Sequence, residues 1–177
     1  MQLDAALVIR AKGGDLEAMD VLIERHHGSV YRMCLSILRE VDRAEDAVQE
    51  TFIKAFRGIA RFRGESQFKT WLMTIAGNEA KGALRKSGRR REQALDDSPE
   101  LHSADPDIEE HTAMMDDATR VRRMVDELPV KQRMAVTLRV DEGLSFKEIG
   151  DVIESSEGAA RVNYHHGIRR LKEMVSA

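Results

Sequence analysis

The feature that most constrains this chain is a break in its charge. Residues 92–118 hold ten acids and no Lys or Arg, together with two of the three prolines, Pro99 and Pro106. A stretch of that kind repels itself, lacks apolar periodicity until about Ile108, and buries too little apolar surface to offset the entropy of ordering. It predicts a flexible acidic linker over 92–112, with one lobe over 1–91 and a second over 113–177. The net charge of −3 argues by itself against a nucleic-acid partner. The division reverses that impression. Residues 1–91 carry a balance of +5, residues 92–118 one of −10, and residues 119–177 one of +2. Two mildly basic lobes flank an acidic connector.

Both lobes are expected to be helical, making the chain all-α. Ala, Leu, Arg, Glu, Met and Lys dominate, aromatics are only 5%, and no stretch alternates apolar with polar residues as a half-buried strand would. In the first lobe an opening helix over 3–12 stops at Gly13-Gly14. A longer one runs from Asp15 to about Arg39, with apolar residues at three- and four-residue steps. Asp42 with Glu45 reads as a capping box opening a third helix, and Ser66 as the cap of a fourth that runs to about Lys86. The second lobe divides into helices near 108–127, 130–142, 146–153 and 157–175, the third opened by the capping box Ser145-Phe146-Lys147-Glu148.

Cys34 is the only cysteine, so no internal disulfide is available and nothing points to an oxidising compartment. The N-terminus lacks a basic leader followed by an apolar run, and no run approaches about 18 apolar residues. The expected location is the cytoplasm, without membrane insertion. No P-loop, HExxH, GxSxG, GxGxxG or cysteine cluster is present, and neither His26-His27 with Cys34 nor His165-His166 has metal-ligand spacing. The chain is expected to need no metal or cofactor and to hold no catalytic residues.

The stretch from Ser145 to Met174 carries the first functional signal. A short helix, a turn at Glu154-Ser155-Ser156 and a longer helix have the lengths of a helix-turn-helix, with Gly150 small where the two helices cross. Ala160, Tyr164, Ile168, Leu171 and Val175 gather into one core stripe. Val162, His166, Arg169 and Arg170 face the opposite way, with Asn163 and His165 on the flanks. Arg and Asn pair bidentately with guanine and adenine, and Val162 suits a thymine methyl. Arg161 and Lys147 are better placed for phosphates. A solvated basic face on an ordinary helical hairpin gives the same pattern, and a regulator whose first lobe senses a ligand would carry it too.

The first lobe adds a second signal. A helix with Asp46, Gln49 and Glu50 on its outer side leads into an Arg- and Phe-rich turn. A helix holding Trp71, Asn78 and Lys81 follows and ends in a basic run. Core packing accounts for most of Phe52, Phe56, Phe62, Phe68 and Trp71, although a loop-flanked aromatic cluster beside a basic helix also suits stacking of unpaired bases.

The two segments together resemble one family. DAVQETFIKAFRGIARFRGESQFKTWLMTIAGNEAK is similar to the second conserved region of extracytoplasmic-function sigma factors. ELPVKQRMAVTLRVDEGLSFKEIGDVIESSEGAARVNYHHGIRRLKEM is similar to their fourth, and the order and the acidic linker also fit. The resemblance implies a partner, core RNA polymerase, gripped at its β′ clamp by Asp46, Gln49 and Glu50, with its β flap meeting the second lobe. It implies promoter DNA as the ligand. Phe62, Arg63, Ser66, Phe68, Asn78 and Lys81 would hold the minus-ten strand. Lys147, Arg161, Val162, Asn163, His165, His166 and Arg169 would read the minus-thirty-five element. It also implies an anti-sigma factor as regulator. Gly158-Ala159-Ala160-Arg161-Val162-Asn163 departs from the family's common Gly-Thr-Val-Lys/Arg-Ser-Arg, so no particular upstream sequence is implied.

Overall fold

The computed structural model describes residues 3–97 and 117–176, with side chains for 3–88 and 119–176. Every regular element among the described residues is helical, as the composition requires. In the first lobe α1 spans Asp4–Lys12, α2 Leu16–Leu38, α3 Val41–Gly58 and α4 Phe68–Asp97, with a short 3-10 turn at Ile59–Arg61. In the second, α5 spans Asp117–Asp126, α6 Val130–Val140, α7 Phe146–Ile153 and α8 Glu157–Ser176. The expected linker from residue 98 onward lies outside the described residues, as does the expected helix over 108–116.

Gly13-Gly14 ends α1 as the sequence suggests, with Gly14 at φ +90° where a Cβ would be strained. Asp15 then caps α2, accepting from the Ala18 amide at 3.1 Å. Two starts differ from expectation. Arg39 takes a left-handed φ of 62°, which turns the chain at once, so α3 begins at Val41 and Asp42 lies within its first turn instead of capping it. There its charge still favours the helix N-terminus. Ser66 is no cap either: its hydroxyl turns to the Gln67 carbonyl, and α4 starts two residues later. That helix passes through Gly77 and Gly82 and continues past Arg91 to Asp97. In the second lobe the Ser145–Glu148 capping box is present in both directions, and Glu154 closes α7 in the left-handed conformation.

Leu7, Leu22, Met33, Ile37, Leu72 and Met73 are buried at the centre of the first lobe, and Leu128, Met134, Leu138, Ile149 and Val152 at the centre of the second. Each such side chain contributes about 1.5–3 kcal/mol when withdrawn from water. Burial pushes the Arg133 guanidinium down to about 10, helped by the nearby charge of Arg39; it donates to the Asp126 carbonyl and so ties the end of α5 to α6. The α8 stripe is shorter than expected. Ala160 is fully buried and Tyr164, Ile168 and Leu171 half-buried, but Val175 is exposed, with no helix among the described residues over the last turn. Gly167 joins the buried set instead, since a Cβ there would lie 2.7 Å from Val136 Cγ2. Gly150 does what its size suggests: a Cβ would stand 2.8 Å from the Ser155 carbonyl oxygen.

The lobes do not stand apart. α2 packs on α6 and α4 on α7, and the buried apolar cluster runs continuously from one lobe into the other. Gly77 marks the crossing, its absent Cβ leaving room for Met33 Cε at 3.2 Å and Met134 Cε at 3.5 Å. Three acids of the second lobe reach the first. The Glu142 carboxylate, 1% exposed, meets Arg32 at 2.8 Å and Lys69 at 2.8 Å. Thr70 donates to Glu148 at 2.9 Å, and Lys81 stands 3.5 Å from Glu154.

Candidate nucleic-acid interface

Along α3 the buried positions Ala44, Ala47, Val48, Thr51 and Ala55 face α2 and α4, which leaves Asp46, Gln49 and Glu50 exposed. Asp46 and Gln49 rim a groove of about 1100 Å³ between α2 and α3, floored by Ile23, Tyr31, Phe52 and Phe56. Phe56 was expected on the packed face; it is 52% exposed, since no helix among the described residues fills this groove. Glu50 instead borders a smaller groove with Asn78 and Lys86, beside the Lys54–Glu79 ion pair.

The residues expected to hold the minus-ten strand fall in three places. Phe62, Arg63, Ser66 and Phe68 line one pocket of about 520 Å³, whose other wall is α1 through Val8, Ile9 and Lys12. Beneath it, the Phe62 and Phe68 rings lie 5.0 and 5.7 Å from Trp71, which itself rests against Gly58. Asn78 is exposed ten residues further along α4, about 15 Å at 1.5 Å per residue. Lys81 points to the second lobe and its side chain is 20% exposed.

Lys12 and Lys69, both on this pocket, escaped the sequence reading. Lys12 donates to the Phe62 carbonyl at 2.9 Å and fixes the turn against α1, while Asp4 ties α1 down through Arg25 and, at 2.7 Å, His26 Nε2. Lys69 lines the pocket and is held by Glu142. Partners 50 and 73 residues apart leave no local pattern by which either could have been found.

On α8 the outward stripe is largely as expected. Arg161, Val162, His165, His166 and Arg169 are exposed, as is Lys147 on α7. The Arg161 guanidinium sits 4.7 Å over the Phe146 ring of α7 and 3.0 Å from Glu157 of its own helix, so it is held between α7 and the first turn of α8. Asn163 differs. It is half-buried, and its amide donates to the Ala159 carbonyl of its own helix at 2.9 Å, a bond it must give up to reach a base. Burial raises the Glu148 pKa and bonds from Ser145 and Thr70 lower it; the bonds win, so this carboxylate is ionised at neutral pH.

Sequence comparison bears on both lobes. Residues 22–90 match Sigma-70 region 2, and residues 118–171 match Sigma-70 region 4. The ECF RNA polymerase sigma-E factor of Haemophilus influenzae is 37% identical over 97% of this chain and 93% of its own. The chain belongs to the ECF sigma factors. The RNA polymerase sigma-H factor of Pseudomonas aeruginosa is 36% identical over 89% of this chain and 86% of its own. Among solved structures, the sigma factor RpoE of Bartonella quintana, determined with the anti-sigma factor NepR, superimposes with a TM-score of 0.73 at 24% identity, covering 89% of this chain and 96% of that one. CnrH, determined with the cytosolic domain of CnrY, gives 0.72 at 20% identity over 98% and 97%. Both likenesses concern the fold. As a sigma factor the chain is a transcription-initiation factor, and α1, which walls the 62–68 pocket, lies outside both matched regions. No helix among the described residues is long and apolar enough to cross a membrane.

Proposed function

We propose that this sigma factor performs no chemistry of its own and lends core RNA polymerase its promoter specificity in the cytoplasm. Asp46, Gln49 and Glu50 grip the β′ clamp, which lays against the α2–α3 groove, and the second lobe meets the β flap. Arg161, Val162, His165, His166 and Arg169 read base edges of the minus-thirty-five element; Lys147 holds a phosphate, and Asn163 contributes only after releasing Ala159. The turn 62–68 receives an extruded minus-ten base, with Asn78 and Lys81 tracking the strand. An anti-sigma factor withholds the protein from polymerase.

One observation carries this reading: the pocket of about 520 Å³ opens directly beside the Phe62–Phe68–Trp71 rings. Extruding a base costs a few kcal/mol, and stacking on an aromatic ring returns about 1–3 kcal/mol per base. Stacking therefore offsets most of the opening cost, and contacts to the strand's phosphates add the rest. Run-off transcription with purified core polymerase tests it. The chain should direct promoter-dependent transcripts. Arg161→Ala should change upstream preference, while Asn78→Ala should reduce permanganate-reactive melting on duplex and recover on a pre-melted bubble. Absence of promoter-dependent run-off would overturn the assignment. Failure of the bubble to rescue Asn78→Ala would overturn the mapping of strand capture.

A further inference from the structure

We infer that Lys69 and Lys81 bind phosphates of the captured DNA strand, and that Glu142 and Glu154 of the second lobe occupy them while the lobes are docked. Docking and strand capture then exclude one another. The inference rests on the reading that the 62–68 turn meets an unpaired strand.

Lys69 lies at the rim of the turn's pocket, where the backbone of an inserted nucleotide would pass. In the docked form its ammonium is taken: Glu142 Oε2 stands at 2.8 Å and the Glu142 carbonyl accepts at 3.0 Å. Lys81, twelve residues along the same helix, is taken by Glu154. Thr70 between them spends its hydroxyl on Glu148. The Glu142 and Glu148 carboxylates thus hold donors that a phosphate oxygen would hold equally well, since both anions accept bonds of the same length, and Glu154 adds a looser ion pair at 3.5 Å. The Glu142 side chain is almost fully withdrawn from water, and the cations on it, Arg32 and Lys69, come from the first lobe. They are 47% and 28% exposed and can rehydrate when the lobes part.

Geometry demands that parting. The two promoter elements lie about 25 base pairs apart by their names, roughly 85 Å along the duplex at ~3.4 Å per pair. In the docked form α8 packs on α7 and α7 on α4, which keeps the reading face within two helix diameters, ~20 Å, of the strand-binding helix. The closed molecule can engage one element at a time.

The full-length chain carries the test, with a short fluorescein-labelled DNA single strand as probe. Glu142→Gln removes the clamp charge. Gly77→Leu wedges the Met33–Met134 crossing while favouring the helix it sits in, and serves independently of charge. Circular dichroism should show both folded, and small-angle scattering should show both expanded. If the open form is about a tenth of the population, both should bind the strand up to roughly tenfold tighter. Adding Lys69→Gln to Glu142→Gln should remove the gain and lower the salt slope by about one. Three results would each overturn the inference: neither variant expands, expanded variants bind no tighter, or Lys69→Gln leaves the gain intact. Failure of the functional reading shows separately, as wild-type protein unable to support run-off transcription.

Discussion

The two faces assigned to DNA are held in opposite states. On α8 the reading side chains stand open to solvent, and the helix beneath them is fixed by α6 and α7 of the same lobe. On α4, Lys69 at the 62–68 pocket and Lys81 twelve residues further along are paired with acids from the other lobe. The open face depends on packing within about forty residues of sequence. The covered face depends on contacts that join residues up to 110 positions apart. The outward side chains of α8 are thus presented in the docked form, whereas on the proposed reading Lys69 and Lys81 are freed for a strand only when the lobes separate.

The largest effects should come from the shared core, which breaks the comparison if the lobes are in fact independent. Leu72→Ala in the first lobe and Leu138→Ala in the second each remove a fully buried side chain, and each should cost about 2–5 kcal/mol. Because the apolar cluster is continuous, calorimetry should show one transition that both variants lower. Two transitions, each sensitive to only one variant, would show that docking carries little energy.

Gly167→Val attacks the open face at its support. The new side chain would meet Val136 and the Gln132 carbonyl, and overpacking of this kind costs about 1–3 kcal/mol. Upstream binding in a footprint should weaken while binding of core polymerase through α3 persists. Unchanged stability would mean that α6 and α8 have slack at their crossing.

A smaller effect separates local from tertiary roles in one carboxylate. Ser145→Ala removes the α7 cap and should cost about 1 kcal/mol. Glu148→Ala removes its half of the cap and also the bond from Thr70, adding about 1 kcal/mol. In a Thr70→Val background the two variants should become equal in urea denaturation. A persistent difference would remove Thr70–Glu148 from the docking contacts.

Acid should loosen the covered face slightly before it affects the open one. Burial alone would raise the Glu142 pKa, but bonds from Lys69, Ser29 and Arg32 outweigh it and hold the carboxyl below its ordinary value near 4.5. Its contribution to docking is therefore complete above that value and is lost as pH falls through the lowered one. Adjacent Asp141 works the other way, its pKa raised by burial and by the Glu142 charge. The radius of gyration should rise as pH falls through that lowered value, and less steeply in Glu142→Gln. Identical curves would place the acid response elsewhere.

Local signals in the sequence located most of the fold. The glycine pair after α1, the Ser145–Glu148 box and Gly150 at the helix crossing each act over a few residues, and each is present as read. Where a start was misplaced, the deciding residue gave no such signal. Arg39 adopts a left-handed conformation that any sequence rule reserves for glycine or asparagine, so α3 began before its apparent cap.

The site divides the same way. The sequence by itself determined that the chain is helical, that a short helix, a turn and a longer helix present Val162, His166 and Arg169 outward, and that aromatic residues flank the 62–68 turn, because helical period and capping are local properties. Only the tertiary structure decided that α1 walls the 62–68 pocket, that Asn163 turns back on its own helix, and that Glu142 closes over Lys69. A buried ion pair between lobes is set by where two surfaces meet, and charges far apart in sequence carry no mark of their partner until the chain has folded.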